Sequence, residues 1–96
     1  MRKEEIIATL QKDRQHLKDA FGVESIALFG SYAKGIENSD SDVDFLVEFK
    51  NPSYSVLMDL YLYLEITFKS KIDIVRKGPH LSKRFLNTIQ KEMIYV

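Results

Sequence analysis

Five residues in this sequence have the types and spacing to do chemistry: Gly30, Ser31, Asp42, Asp44 and Asp73. Asp42-Val43-Asp44 opens an alternating segment. Residues two apart on a strand share a face, which sets the two carboxylates about 6.5–7 Å apart along the chain. Like charges held so close repel and raise each other's pKa unless a cation lies between them. Mg²⁺ would serve, because it prefers hard oxygen ligands such as one or two carboxylates together with substrate phosphates. A solvated polar face on an amphipathic strand is the plainer explanation, but it would admit Lys, Thr or Ser as readily, and Asp is poor in strands. Gly30-Ser31 follows the apolar run Ser25–Phe29. Glycine lets backbone N–H groups approach a ligand, and the start of a helix presents unpaired donors, so the pair suits a phosphate; a simple turn with a capping serine explains it as well. Asp73 lies between Ile72 and Ile74, which face the core, so its side chain takes the opposite face. If its strand neighbours that of Asp44, three acids gather beside the Gly-Ser turn; otherwise Asp73 is a lone exposed residue on an edge.

The elements that must position these residues are legible as hydrophobic periodicity. Ile6, Leu10, Leu17 and Phe21 recur at helical spacing from about Lys3 to Phe21, with Gly22 placed as a stop. Ser25–Phe29 reads as a buried strand, Ser31–Gly35 as a helical turn or two, and Ile36–Ser41 as a polar loop. Asp42–Phe49 alternates, with Val43, Phe45, Val47 and Phe49 on one side and Asp42, Asp44, Leu46 and Glu48 on the other. Asn51-Pro52-Ser53 starts a helix striped by Leu57, Leu60, Leu64 and Phe68. Ile72–Val75 is a third strand, and His80–Met93 reads as a last helix striped by Leu81, Phe85, Ile89 and Met93. The order implies an α/β (α+β) fold, a small sheet flanked by helices, with residues 1–96 as one domain.

Composition narrows the function. Fourteen Lys plus Arg balance fourteen Asp plus Glu, which argues against strong general binding to nucleic acid or to a membrane surface. With no cysteine there is no disulfide, thiolate metal site or thiol nucleophile. The N-terminus meets charges too early for a signal peptide, and no apolar run approaches a membrane span, so a cytoplasmic location is expected.

Taken together, Gly30-Ser31, ten intervening residues and Asp42-Val43-Asp44 form the pattern GSx10DxD. This resembles the signature of the DNA polymerase β-like nucleotidyltransferases. More narrowly, FGSYAKG, SDVDFLVEF, LYLEITF, KIDIV and the tail IQKEMIYV resemble, over nearly the whole chain, the minimal nucleotidyltransferase (MNT) antitoxins of HEPT/MNT toxin–antitoxin pairs. The resemblance implies a small mixed sheet of the polymerase β-like type. It also implies that Asp42, Asp44 and Asp73 are catalytic and hold two Mg²⁺ ions, with Asp73 placed to take a proton. Gly30, Ser31 and Lys34 would bind the nucleotide, ATP would be the donor, and the acceptor would be a tyrosine hydroxyl on a HEPT-type toxin partner. Two other readings stay open: an antitoxin acting by stoichiometric binding alone, and transfer to a small molecule or an RNA end. His16 and the lysines at 69, 71, 77 and 83 read as solvated, His80 as a helix cap, and Tyr54, Tyr61 and Tyr63 as packing residues.

Overall fold

The computed structural model describes residues 1–96. Helix α1 (Lys3–Phe21) buries Ile6, Leu10 and Leu17 along one face and ends at Gly22, whose φ of 68° forms a left-handed cap. Strand β1 (Val23–Phe29) runs directly into the short helix α2 (Gly30–Lys34), and β2 (Val43–Phe49) follows a polar loop. Helix α3 (Tyr54–Phe68) begins at Ser53, whose hydroxyl accepts the Val56 N–H. Strand β3 (Ile72–Arg76), helix α4 (Lys83–Gln90) and the two-residue strand β4 (Ile94–Tyr95) complete the chain. No helix is long and apolar enough to cross a membrane.

The strands form one mixed sheet in the order β3-β2-β1-β4. β1 pairs antiparallel with both β2 and β4, while β2 and β3 are parallel and joined by α3. Helices α1 and α3 contribute Ile6, Leu10, Leu17, Leu60, Leu64 and Phe68 to the larger core, against Val43, Phe45 and Val47 of β2. The opposite face carries a smaller cluster, Ala27, Phe29, Leu46 and Ile89, beneath α4. Leu46 therefore shares its side with Asp44, as alternation requires, but is buried; α4 covers that half of the face and leaves the other half to the acids.

Several boundaries differ from the periodicity reading. β1 starts two residues earlier, at Val23, and β2 starts at Val43, so Asp42 stands just ahead of the ladder. Helix α4 starts at Lys83, with Ser82 rather than His80 as its cap; His80 instead lies 3.3 Å from the Arg76 guanidinium. The same helix stops at Gln90, and the chain turns to add β4 at the sheet edge. Met93 still packs on the α4 cluster, from beyond the helix.

Tyr61 and Tyr63 both work inside the chain, whereas Tyr54, read from the sequence as a packing residue, stands exposed at the start of α3. The Tyr63 hydroxyl donates to Asp13 at 2.7 Å and ties α3 to α1; burial, followed by the acceptor Asp13, raises its pKa. The Tyr61 hydroxyl accepts the Ile74 N–H at 3.0 Å and donates to the Ile74 carbonyl at 3.3 Å. Because β3 is an edge strand, this one side chain satisfies backbone groups that no further strand reaches. Tyr61→Phe is expected to lower stability by about 1–2 kcal/mol, read as a shift in urea midpoint at unchanged slope.

Candidate functional site

Sheet register builds the site. In the parallel pair, Asp44 of β2 lies directly beside Asp73 of β3. In the antiparallel pair on its other side, Asp44 is the partner of Phe29, the last residue of β1. β1 then bends at once into α2, so Gly30 sits against the Asp44 carboxylate. Gly30 has φ 77°, and a Cβ there would overlap Asp44 Oδ2. Two requirements therefore select glycine at this position: a left-handed backbone and a carboxylate where a side chain would be. The condition left open by the sequence is thereby met: the strands of Asp44 and Asp73 are neighbours, with the Gly-Ser turn adjacent.

The acids crowd one another. Asp44 is raised to about pKa 6, chiefly by burial and then by the negative charge of Asp73 and of Asp42; Glu92 adds a smaller push. The Asp44 and Asp73 carboxyls also come close enough to hydrogen-bond when one holds a proton. Asp42 is exposed and unpinned by the ladder. As they stand, the three carboxylates do not close into a three-ligand cage: Asp44 and Asp73 form a pair, with Asp42 at its open side. The donor set is nonetheless entirely hard oxygen, and the carboxylates repel one another. Those features fit a Mg²⁺-type cation.

The periodicity reading missed Glu92. It lies in the turn between α4 and β4, and Leu28 pairs with Ile94; continued by two residues, that register sets Glu92 opposite Gly30. Its Oε1 accepts the Gly30 N–H at 3.2 Å, and its Oε2 lies 3.1 Å from Lys34 Nζ. Only recognition of β4 could have found it, because Glu92 is otherwise an ordinary charge near a chain end. Asp73, Asp44, Gly30 and Glu92 thus form a row across the end of the sheet, with Lys34 alongside. The row is an open shelf. The largest cavity, about 530 Å³, lies near the other end of β1, against Gln11, Gln15 and Val23, and contains none of these residues.

Residues 4–96 match the family described as polymerase beta, nucleotidyltransferase. The protein adenylyltransferase MntA of Thermococcus cleftensis is 38% identical over 94 residues, covering 97% of this chain and 94% of that protein. A solved structure assigned provisionally to a minimal nucleotidyltransferase superposes with a TM-score of 0.79 at 29% identity, covering 98% of this chain and 95% of its own. A crystal structure of a toxin–antitoxin with AMP-PNP shares the fold, with a TM-score of 0.68 at 21% identity, over 99% of this chain and 72% of its own.

Proposed function

This chain belongs to the polymerase β nucleotidyltransferase family, and on that footing we propose that it transfers AMP from ATP to a tyrosine hydroxyl of a HEPT-type toxin and so neutralises it. The observation that carries the reading is the register match of Asp44 with Asp73 beside the Gly30 bend. A relative named a protein adenylyltransferase, and a toxin–antitoxin of the same fold holding an ATP analogue, support the donor and the type of partner.

In the proposed reaction the acceptor oxygen forms a bond to the α-phosphorus as the bond from that phosphorus to the bridging oxygen breaks. Pyrophosphate leaves with the electron pair. Asp73, at the exposed end of the row, takes the phenolic proton. Gly30 and Ser31 seat the β- and γ-phosphates, and Lys34 offsets their charge. Asp42, Asp44 and Asp73 would hold two Mg²⁺ ions, which when bound stabilise charge on the entering and departing oxygens.

Partner binding has its own support. Tyr54, Met58, Leu62 and Ile66 of α3, spaced four residues apart, are 47–79% exposed and make up a single ridge. Contiguous apolar surface of this kind marks protein contacts more often than solvent. Within this proposal the protein acts in the cytoplasm, as the sequence leads us to expect.

The test is incubation with the toxin, ATP and Mg²⁺, followed by intact-mass measurement. We expect a gain of about 329 Da on the toxin per AMP attached, and none with Asp42→Asn/Asp44→Asn. Equal protection by both proteins, with no adduct, would leave stoichiometric binding as the activity. An adduct on RNA or a small molecule in place of the toxin would redirect the acceptor.

A further inference from the structure

We infer that Glu92 is an internal occupant of the triphosphate seat, a side chain that nucleotide must displace to bind. The inference rests on the nucleotidyl-transfer reading and deepens it. One carboxylate engages two of the three residues assigned to phosphate: the Gly30 N–H through Oε1 and Lys34 Nζ through Oε2. These are the contacts that phosphate oxygens would make, here supplied by another anionic oxygen acceptor. The side chain of Glu92 is only 17% exposed, whereas that of Lys34 is 50% exposed, so the carboxylate is the more enclosed member of the pair.

A purely structural tie is not needed here. β4 is already held by its pairing with β1 and by the Val96 N–H bond to the Ile26 carbonyl at 3.0 Å. The turn itself is closed by the Glu92 and Met93 N–H groups, both bonded to the Ile89 carbonyl. The backbone of Glu92 is therefore fixed without its carboxylate, and a change of side-chain rotamer alone frees both donors. With triphosphate in the seat, the carboxylate would face like charge at contact distance and be driven out. In the nucleotide-free protein it keeps Lys34 paired and the Gly30 donor satisfied, which disfavours adventitious anions and makes binding depend on a full triphosphate.

The experiment titrates AMP-PNP with Mg²⁺, and separately inorganic triphosphate, into the full chain while following the Gly30 amide by ¹⁵N-correlated NMR. Glu92→Gln keeps an acceptor for Gly30 but loses the charge; Glu92→Ala empties the position. Both variants are expected to bind AMP-PNP roughly five- to tenfold more tightly than the parent, with a like gain for triphosphate. In a Lys34→Ala background, Glu92→Gln should still tighten binding but by a smaller factor, because one of the two contacts of the carboxylate is already gone while its hold on the Gly30 N–H and its charge remain. Affinity unchanged or weakened in both Glu92 variants, with the Gly30 amide still shifting, overturns the inference and leaves the transferase reading standing. No binding by any form, with the Gly30 amide unmoved, overturns the transferase reading and this inference with it.

Discussion

Asp44→Asn is expected to abolish nucleotidyl transfer while making the protein more stable. Transfer should fall roughly 10²-fold or more, since one carboxylate of the pair is lost from the position where charge must be stabilised. Stability moves the other way because Asp44 carries a raised pKa of about 6. A carboxyl whose folded pKa exceeds its unfolded value binds more protons in the native state, so native stability falls as pH rises between about 4 and 6. Above that window the ionised group imposes its full cost, set first by burial and then by Asp73 and Asp42. The shelf is open to solvent, which screens the effect, and about 1–2 kcal/mol is a reasonable scale at neutral pH. Asparagine removes that cost and can still hydrogen-bond to Asp73. In chelator at pH 7.5 the variant should melt roughly 5 °C above the parent, and at pH 4 the difference should close. Added Mg²⁺ should raise the melting temperature of the parent and leave that of the variant nearly unchanged. A variant that melts below the parent at pH 7.5 would mean that the acids are not mutually strained.

The same crowding explains why this part of the molecule was legible from sequence. Asp42 and Asp44 interrupt an otherwise apolar alternation, and Asp73 interrupts Ile-x-Ile; acids placed so against strand propensity need a reason. What the sequence left open was whether the two strands are neighbours, since alternation within a strand says nothing about order in the sheet. The crossover through α3 answered that, as β2 and β3 lie parallel with Asp44 beside Asp73. Other features were hidden for specific physical reasons. The stripe Leu81, Phe85, Ile89 and Met93 identified true neighbours, because all four pack on one cluster. Helical spacing was nonetheless the wrong geometry for Met93, which reaches that cluster from a turn. β4 is two residues long, too short for any alternation to show, and Glu92 was lost with it. The partners of Tyr61 and Tyr63 lie 13 and 50 residues away, distances over which periodicity carries no information.

The second large effect is steric. Gly30→Ala is expected to abolish transfer as completely as Asp44→Asn, but with a loss of stability in place of a gain. Two glycines of the chain separate the causes. Gly22 and Gly30 have nearly the same backbone, φ 68° and 77°, so alanine at either carries the strain of the left-handed region, on the order of 1 kcal/mol. At Gly22 a Cβ meets nothing within 4 Å, and Gly22→Ala should show that strain alone, with transfer intact. At Gly30 the Cβ would collide with Asp44 Oδ2. Either the carboxylate swings away from Asp73 or the bend reopens and carries the Gly30 N–H out of the seat. Both routes displace a reacting contact by about 1 Å, a shift that costs on the order of 10²-fold in rate. The difference in unfolding free energy between the two alanine variants then measures the collision, about 1–2 kcal/mol beyond the shared strain. Measured side by side, Gly30→Ala should lose transfer and more stability, and Gly22→Ala should lose a little stability only. If both variants kept transfer, the close approach of the bend to Asp44 would have no part in the chemistry, and the phosphate seat would have to lie elsewhere on the shelf.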